Sequence, residues 1–194
     1  MSMNPMRMRT LINCVSLAAL AVAASSCGDV VRSSRAPVMM LVNNLVVTNT
    51  PNSTLFSDVV GANGVTFNDM ATATLTVVMK DVTPSAPAPT SNNRVTVNRY
   101  RVEYRRADGH NTPGVDVPYP FEGAATVTVT PNATSVLVFE IVRHIAKEES
   151  PLVQLGTNPN VISTIAEVTF FGTDTVGNDV TATASMLINF GNIG

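Results

Sequence analysis

"ATATLTVVMK", residues 71–80, alternates: Ala71, Ala73, Leu75, Val77 and Met79 share one parity, Thr72, Thr74, Thr76 and Lys80 the other. A period of two is that of an extended chain whose side chains point to opposite faces, so the stretch reads as a strand with one dry and one wet side. The same parity recurs elsewhere. "VTATASMLINF", residues 180–190, sets Val180, Ala182, Ala184, Met186, Ile188 and Phe190 on one face, and "AATVTVT", residues 124–130, repeats the pattern in miniature. With residues 38–48, 135–145 and 161–171 as further candidates, seven or eight strands are expected. No segment sustains a 3.6-residue period. "IAKEESPLVQL", residues 145–155, holds at most a helical turn, cut short by Pro151.

"RVTVNRYRVEYRR", residues 94–106, changes parity midway: Val95 and Val97 are odd-numbered, Tyr100, Val102 and Tyr104 even. One extra residue near Asn98 restores a single dry face, which predicts a β-bulge or bend there. Between the strands lie turn-rich connections such as "GANG", "DVTPSAPAPTSNN", "TPNAT" and "GTNPN". Short strands punctuated in this way predict an all-β, antiparallel sandwich.

Two stretches carry a family resemblance. "VNRYRVEYRRADG" resembles strand C and the following turn of a fibronectin type III or related immunoglobulin-like domain, through Tyr100, Val102 and Tyr104. "VTFFGTDTVGNDVTATASM" resembles the last hairpin of bacterial immunoglobulin-like domains, with Asp174, Gly177 and Asn178 in its turn. The resemblance implies an immunoglobulin-like β-sandwich over residues 37–194, here without the core tryptophan or the cysteine pair of the best-known members.

Ahead of it, Arg7 and Arg9 flank an apolar run, residues 11–24, that ends in small residues, the order of a secretory signal. Fourteen residues of helix reach about 21 Å, short of the roughly 30 Å hydrocarbon core, so a signal is expected rather than a span. "AASSC" then resembles the lipobox of bacterial lipoproteins, which implies that residues 1–26 are removed, that the Cys27 thiol is acylated, and that residues 27–36 link the lipid to the domain. Stable attachment takes more than one acyl chain. The expected location is the cell envelope, with the membrane as partner through palmitate or a similar chain.

Removal of residues 1–26 leaves ten basic and fourteen acidic residues, which gives no sign of nucleic-acid binding. No cysteine besides Cys27 remains in that mature chain, so no internal disulfide forms and burial alone holds the domain. No cofactor is expected.

Arg94, Arg99, Arg101, Arg105 and Arg106 gather half of the mature positive charge. Arg99, Arg101 and Arg105 share the wet face of their strand, where they either meet an anionic polysaccharide or envelope protein or form a solvated sheet face. The loop 107–123 adds Tyr119 and Phe121 in "PYPF", which suits an aromatic platform or closes one end of the core. His144 shares a face with Glu140 if "FEIVRHIA" is extended, an arrangement open to acid–base work or to a plain surface pair. His110 sits in the Asp108-Gly109 turn. Asp174, Asn178 and Asp179 offer oxygen donors, but with the spacing of a hairpin turn rather than of a calcium loop. Asn52 and Asn132 fall in glycosylation-type triplets that read here as turns. These observations point to a lipid-anchored structural or binding module; the alternatives are an accessory lipoprotein recognising glycan or peptide through Arg99, Arg101, Arg105, Tyr119 and Phe121, and a hydrolase using His144 with Glu140.

Overall fold

The computed structural model describes residues 35–81 and 88–193. The signal segment, Cys27 and residues 28–34 of the linker lie outside them. Eight strands account for about half of the described residues: β1 (Val38–Val47), β2 (Thr54–Asp58), β3 (Asp69–Met79), β4 (Val95–Arg105), β5 (Phe121–Val129), β6 (Ser135–Val142), β7 (Ile162–Asp174) and β8 (Asp179–Gly191). One short helix, α1 (His144–Lys147), and a 3-10 segment, Leu152–Thr157, join β6 to β7. The fold is therefore all-β, in two sheets ordered β1-β3-β6 and β2-β8-β7-β4-β5.

The dry parity of each strand forms one core. Ala71, Ala73, Leu75 and Val77 of β3 are buried, as are Val180, Ala182, Met186, Ile188 and Phe190 of β8. Rings lock the two sheets together: Phe139 of β6 meets Tyr100 of β4 edge-on at 4.8 Å and Phe170 of β7 at 5.3 Å between centroids. Each large apolar side chain taken from water contributes about 1.5–3 kcal/mol, so the shared core stabilises both sheets at once. Ala36, just before β1, is already buried.

The parity change in β4 is a break in register between Val97 and Arg99 against both β5 and β7. It turns Tyr100, Val102 and Tyr104 inward behind Val95 and Val97, all five buried. Two expectations are corrected. The 135–145 strand stops at Val142, and the assembly is not wholly antiparallel, because β2 pairs in parallel with β8. β2 turns Ser57 inward and Phe56 outward, against the usual hydrophobic pattern. Ser57 is tolerated there because its hydroxyl donates to Asp69 Oδ2 at 2.6 Å, an oxygen that also receives Lys147 Nζ at 3.0 Å.

Register sorts the connections to two poles. At one, the chain enters through Pro37, whose carbonyl accepts Lys80 N–H at 2.9 Å, close to the ends of β3, β4 and β7 at Met79, Val95 and Asp174. At the other lie Arg105, Val142 and Asp69. The ten steps of β4 between them span about 33 Å.

Candidate functional site

The wet face of β4 is a charge lattice. Arg99 Nη1 meets Glu122 of β5 at 3.0 Å, and its guanidinium lies over the Phe171 ring at 3.8 Å. Arg101 and Arg105 grip opposite oxygens of Glu103, at 2.6 and 3.4 Å, and Arg105 reaches Glu167 of β7 at 4.0 Å. The stripe of positive charge in the sequence is thus met by an equal number of glutamates, two of them brought in by neighbouring strands. Exposed pairs of this kind add about 0–1 kcal/mol each.

Beyond Arg105 the chain folds back along its own strand. Arg106 pairs with Asp108, Asn111 Oδ1 accepts Arg106 N–H at 2.6 Å, and Gly109 takes φ +85° in the turn. A second tight turn follows, in which Asp116 Oδ2 accepts Thr112 N–H and Gly114 N–H donates to the Val117 carbonyl at 2.8 Å. Gly114, at φ +75°, lies against the Tyr119 ring, where a Cβ would collide with the phenol. Val117, 1% exposed, pins the loop to the core.

Between strand and loop lies a cleft of about 340 Å³, lined by Arg101, Glu103, Tyr104 and Arg105 from β4 and by Asn111, Pro113, Val117, Pro118 and Pro120 from the loop. Tyr104 closes its inner end: its hydroxyl donates to the Ile141 carbonyl at 2.6 Å, and burial, with Asp69 nearby, pushes its ionisation far above the usual phenol range. Chemically the cleft offers an Arg-Glu-Arg row opposite apolar proline rings.

The residues singled out in the sequence divide at this point. Arg101 and Arg105 line the cleft, whereas Arg99 lies nearer mid-strand on Phe171. Tyr119 is exposed and rests on Gly114. Phe121 belongs not to the loop but to the start of β5, opposite Val102, with the Arg143 guanidinium 4.1 Å above its ring. The two aromatics are therefore committed to different neighbours.

His144 and Glu140 do not share a strand face, because His144 opens α1. Asn68 stands between them: its Oδ1 lies 2.7 Å from His144 N and 3.0 Å from Nδ1, and its Nδ2 donates to Glu140 Oε1 at 2.7 Å. His110 is exposed, 3.6 Å from Asp108. Asp174 is spent inside its hairpin, with Oδ1 accepting Val176 and Asn178 N–H and Oδ2 accepting Asn178 Nδ2, while Gly177 takes φ +86°. Among the described residues no group of three or more His, Cys, Asp and Glu side chains is placed to hold a metal ion, and no helix is long and apolar enough to cross a membrane.

The cleft itself is not visible in the sequence, since it depends on where residues 106–120 fold back. The one signal for it is the cluster Pro113, Pro118 and Pro120 directly after an arginine-rich strand.

No family model and no curated protein matches the chain. Among solved structures, it is similar to the Northeast Structural Genomics Consortium target SoR45 at 11% identity and a TM-score of 0.37, over 81% of this chain and 89% of the other. It is also similar to Spo0M, the sporulation control protein of Bacillus subtilis, at 9% identity and a TM-score of 0.32, over 78% of this chain. The match spans about half, 49%, of the Spo0M chain.

Proposed function

We propose that the chain is a lipid-anchored recognition module of the bacterial envelope, built on an immunoglobulin-like sandwich. Strand order supports the fold: β1-β3-β6 opposite β8-β7-β4-β5 corresponds to strands A-B-E and G-F-C with an added C′ in that architecture, β2 being a further edge strand beside β8. The signal-like residues 1–26 and the lipobox-like "AASSC" support the tether.

The observation that carries the functional reading is the separation of the poles. The chain enters β1 at one end of the sandwich, and the proline-walled cleft lies towards the other, along Arg101 to Arg105, about 20–33 Å away along β4. A lipid at Cys27 holds the first end at the membrane and turns the second away from it. Because the arginine lattice is balanced by Glu103, Glu122 and Glu167, the cleft rather than the whole strand face is the recognition surface, and a compact ligand suits it better than a long polyanion. A hydrolase is disfavoured by the bonding of His144 to Asn68, which separates it from Glu140.

The tether is tested by Cys27→Ser in a bacterial host. The wild-type chain is expected in the membrane fraction carrying labelled palmitate, and the variant in the soluble fraction without label. A Cys27→Ser chain that stays with the membranes, or a wild-type chain that takes up no label, removes the anchor from the account.

A further inference from the structure

We propose that the cleft between β4 and residues 106–120 binds a carboxylate borne on a small apolar body. The inference rests on the recognition-module reading and names its ligand chemistry. On the strand side the cleft already holds one carboxylate, Glu103, gripped by Arg101 at 2.6 Å and by Arg105 at 3.4 Å. Two guanidiniums share this one anion, and the glutamate that completes the balance, Glu167, reaches Arg105 only at 4.0 Å from a neighbouring strand, so the compensation is loosest at Arg105. Arg105, the more loosely held of the two, is 61% exposed and presents the planar fork that pairs two-pronged with an incoming carboxylate.

The loop side decides what the carboxylate is attached to. Pro113, Pro118 and Pro120 have no N–H to donate, and the Asn111 side chain is spent on the backbone of Arg106. A hydroxyl-rich sugar placed there would bury groups without partners, at a cost of about 1–3 kcal/mol each, whereas an aliphatic or aromatic body packs against the proline rings without loss. A volume of about 340 Å³ suits a body of this modest size. The same chemistry arises from a free small acid and from the C-terminal residue of a peptide. Glu103 acts as the built-in competitor that an incoming carboxylate displaces from Arg105.

The test is equilibrium dialysis with the full chain carrying Cys27→Ser, so that ligand capture is scored independently of acylation. Labelled benzoate and the peptide acetyl-Ala-Ala-Leu are compared with benzamide and the peptide amide. The acids are expected to bind at least ten-fold more tightly than the amides; Arg105→Gln weakens them about ten-fold, and Glu103→Gln strengthens them several-fold. Arg105 is a surface residue, so an unchanged melting temperature verifies that the variant is folded. Retention of benzoate identifies a free small acid, and retention of the peptide acid alone identifies a chain terminus. Equal binding of acids and amides, indifference to Arg105→Gln, or no binding of either acid overturns the proposal.

Discussion

Asp174 shows how far a single side chain is set by its immediate neighbours. Burial alone raises the pKa of its carboxyl, but the Asn178 side chain and the backbone N–H groups of Asn178, Val176 and Gly177 together hold it below the ordinary carboxylate value of 3.8. A carboxyl whose folded pKa is depressed contributes stability above that ordinary value and loses it as the pH falls through the lower, folded one. Asp174→Asn keeps an acceptor and removes the charge. Melting curves of wild type and Asp174→Asn should therefore differ most well above the ordinary carboxylate value of 3.8 and draw together as the pH falls through the depressed folded one; a gap that stays constant as the solution is acidified would show that the charge contributes nothing. This turn was legible in "GTDTVGND" because every partner lies within four residues. Ser57 was not, because a buried serine is explained only by Asp69, twelve residues away, and by Lys147 much further along the chain.

These three residues matter as a joint between elements. Ser57 stands in β2 of the five-stranded sheet, Asp69 opens β3 of the three-stranded one, and Lys147 closes α1, so one carboxylate ties both sheets and the helix together at the cleft pole. Lys147 is only 4% exposed. Loss of its partner strands an ammonium in the interior, whereas replacing the lysine with an apolar chain leaves Asp69, which is one-fifth exposed, open to hydration. Asp69→Ala should cost about 3–5 kcal/mol by urea denaturation, Lys147→Met about 1 kcal/mol or less, and the double variant should recover most of the loss. A small penalty for Asp69→Ala alone would rule the joint out. The contrast with β4 explains what sequence reading reaches at this scale. The bulge near Asn98 announces itself, since Val97 and Tyr100 cannot both face inward in a regular strand. β2 stays hidden: it is five residues long, its serine points in and its phenylalanine points out.

At the scale of the molecule, the register of eight strands turns local choices into polarity. Alternation alone leads to two wet and dry sheet faces, but not to the glutamates that neutralise the arginines: Glu122 and Glu167 reach Arg99 and Arg105 only once β5 and β7 flank β4 in a fixed register. The same register puts the entry of the chain and the cleft at opposite ends. Seven residues, 28–34, join Cys27 to Arg35, and even fully extended this connection reaches no more than about 28 Å, less than the length of β4. An acylated chain is then expected to hold the turn at Asn132 nearer to the bilayer, on average, than the turn at Thr112 beside the cleft. A fluorophore on Asn132→Cys in protein reconstituted into vesicles should be quenched by headgroup-labelled spin lipids several-fold more than one on Thr112→Cys. Equal quenching at both sites would mean that the sandwich lies flat on the membrane, with the cleft facing lipid instead of a soluble ligand, and the reading of a remote recognition pole would fall with it.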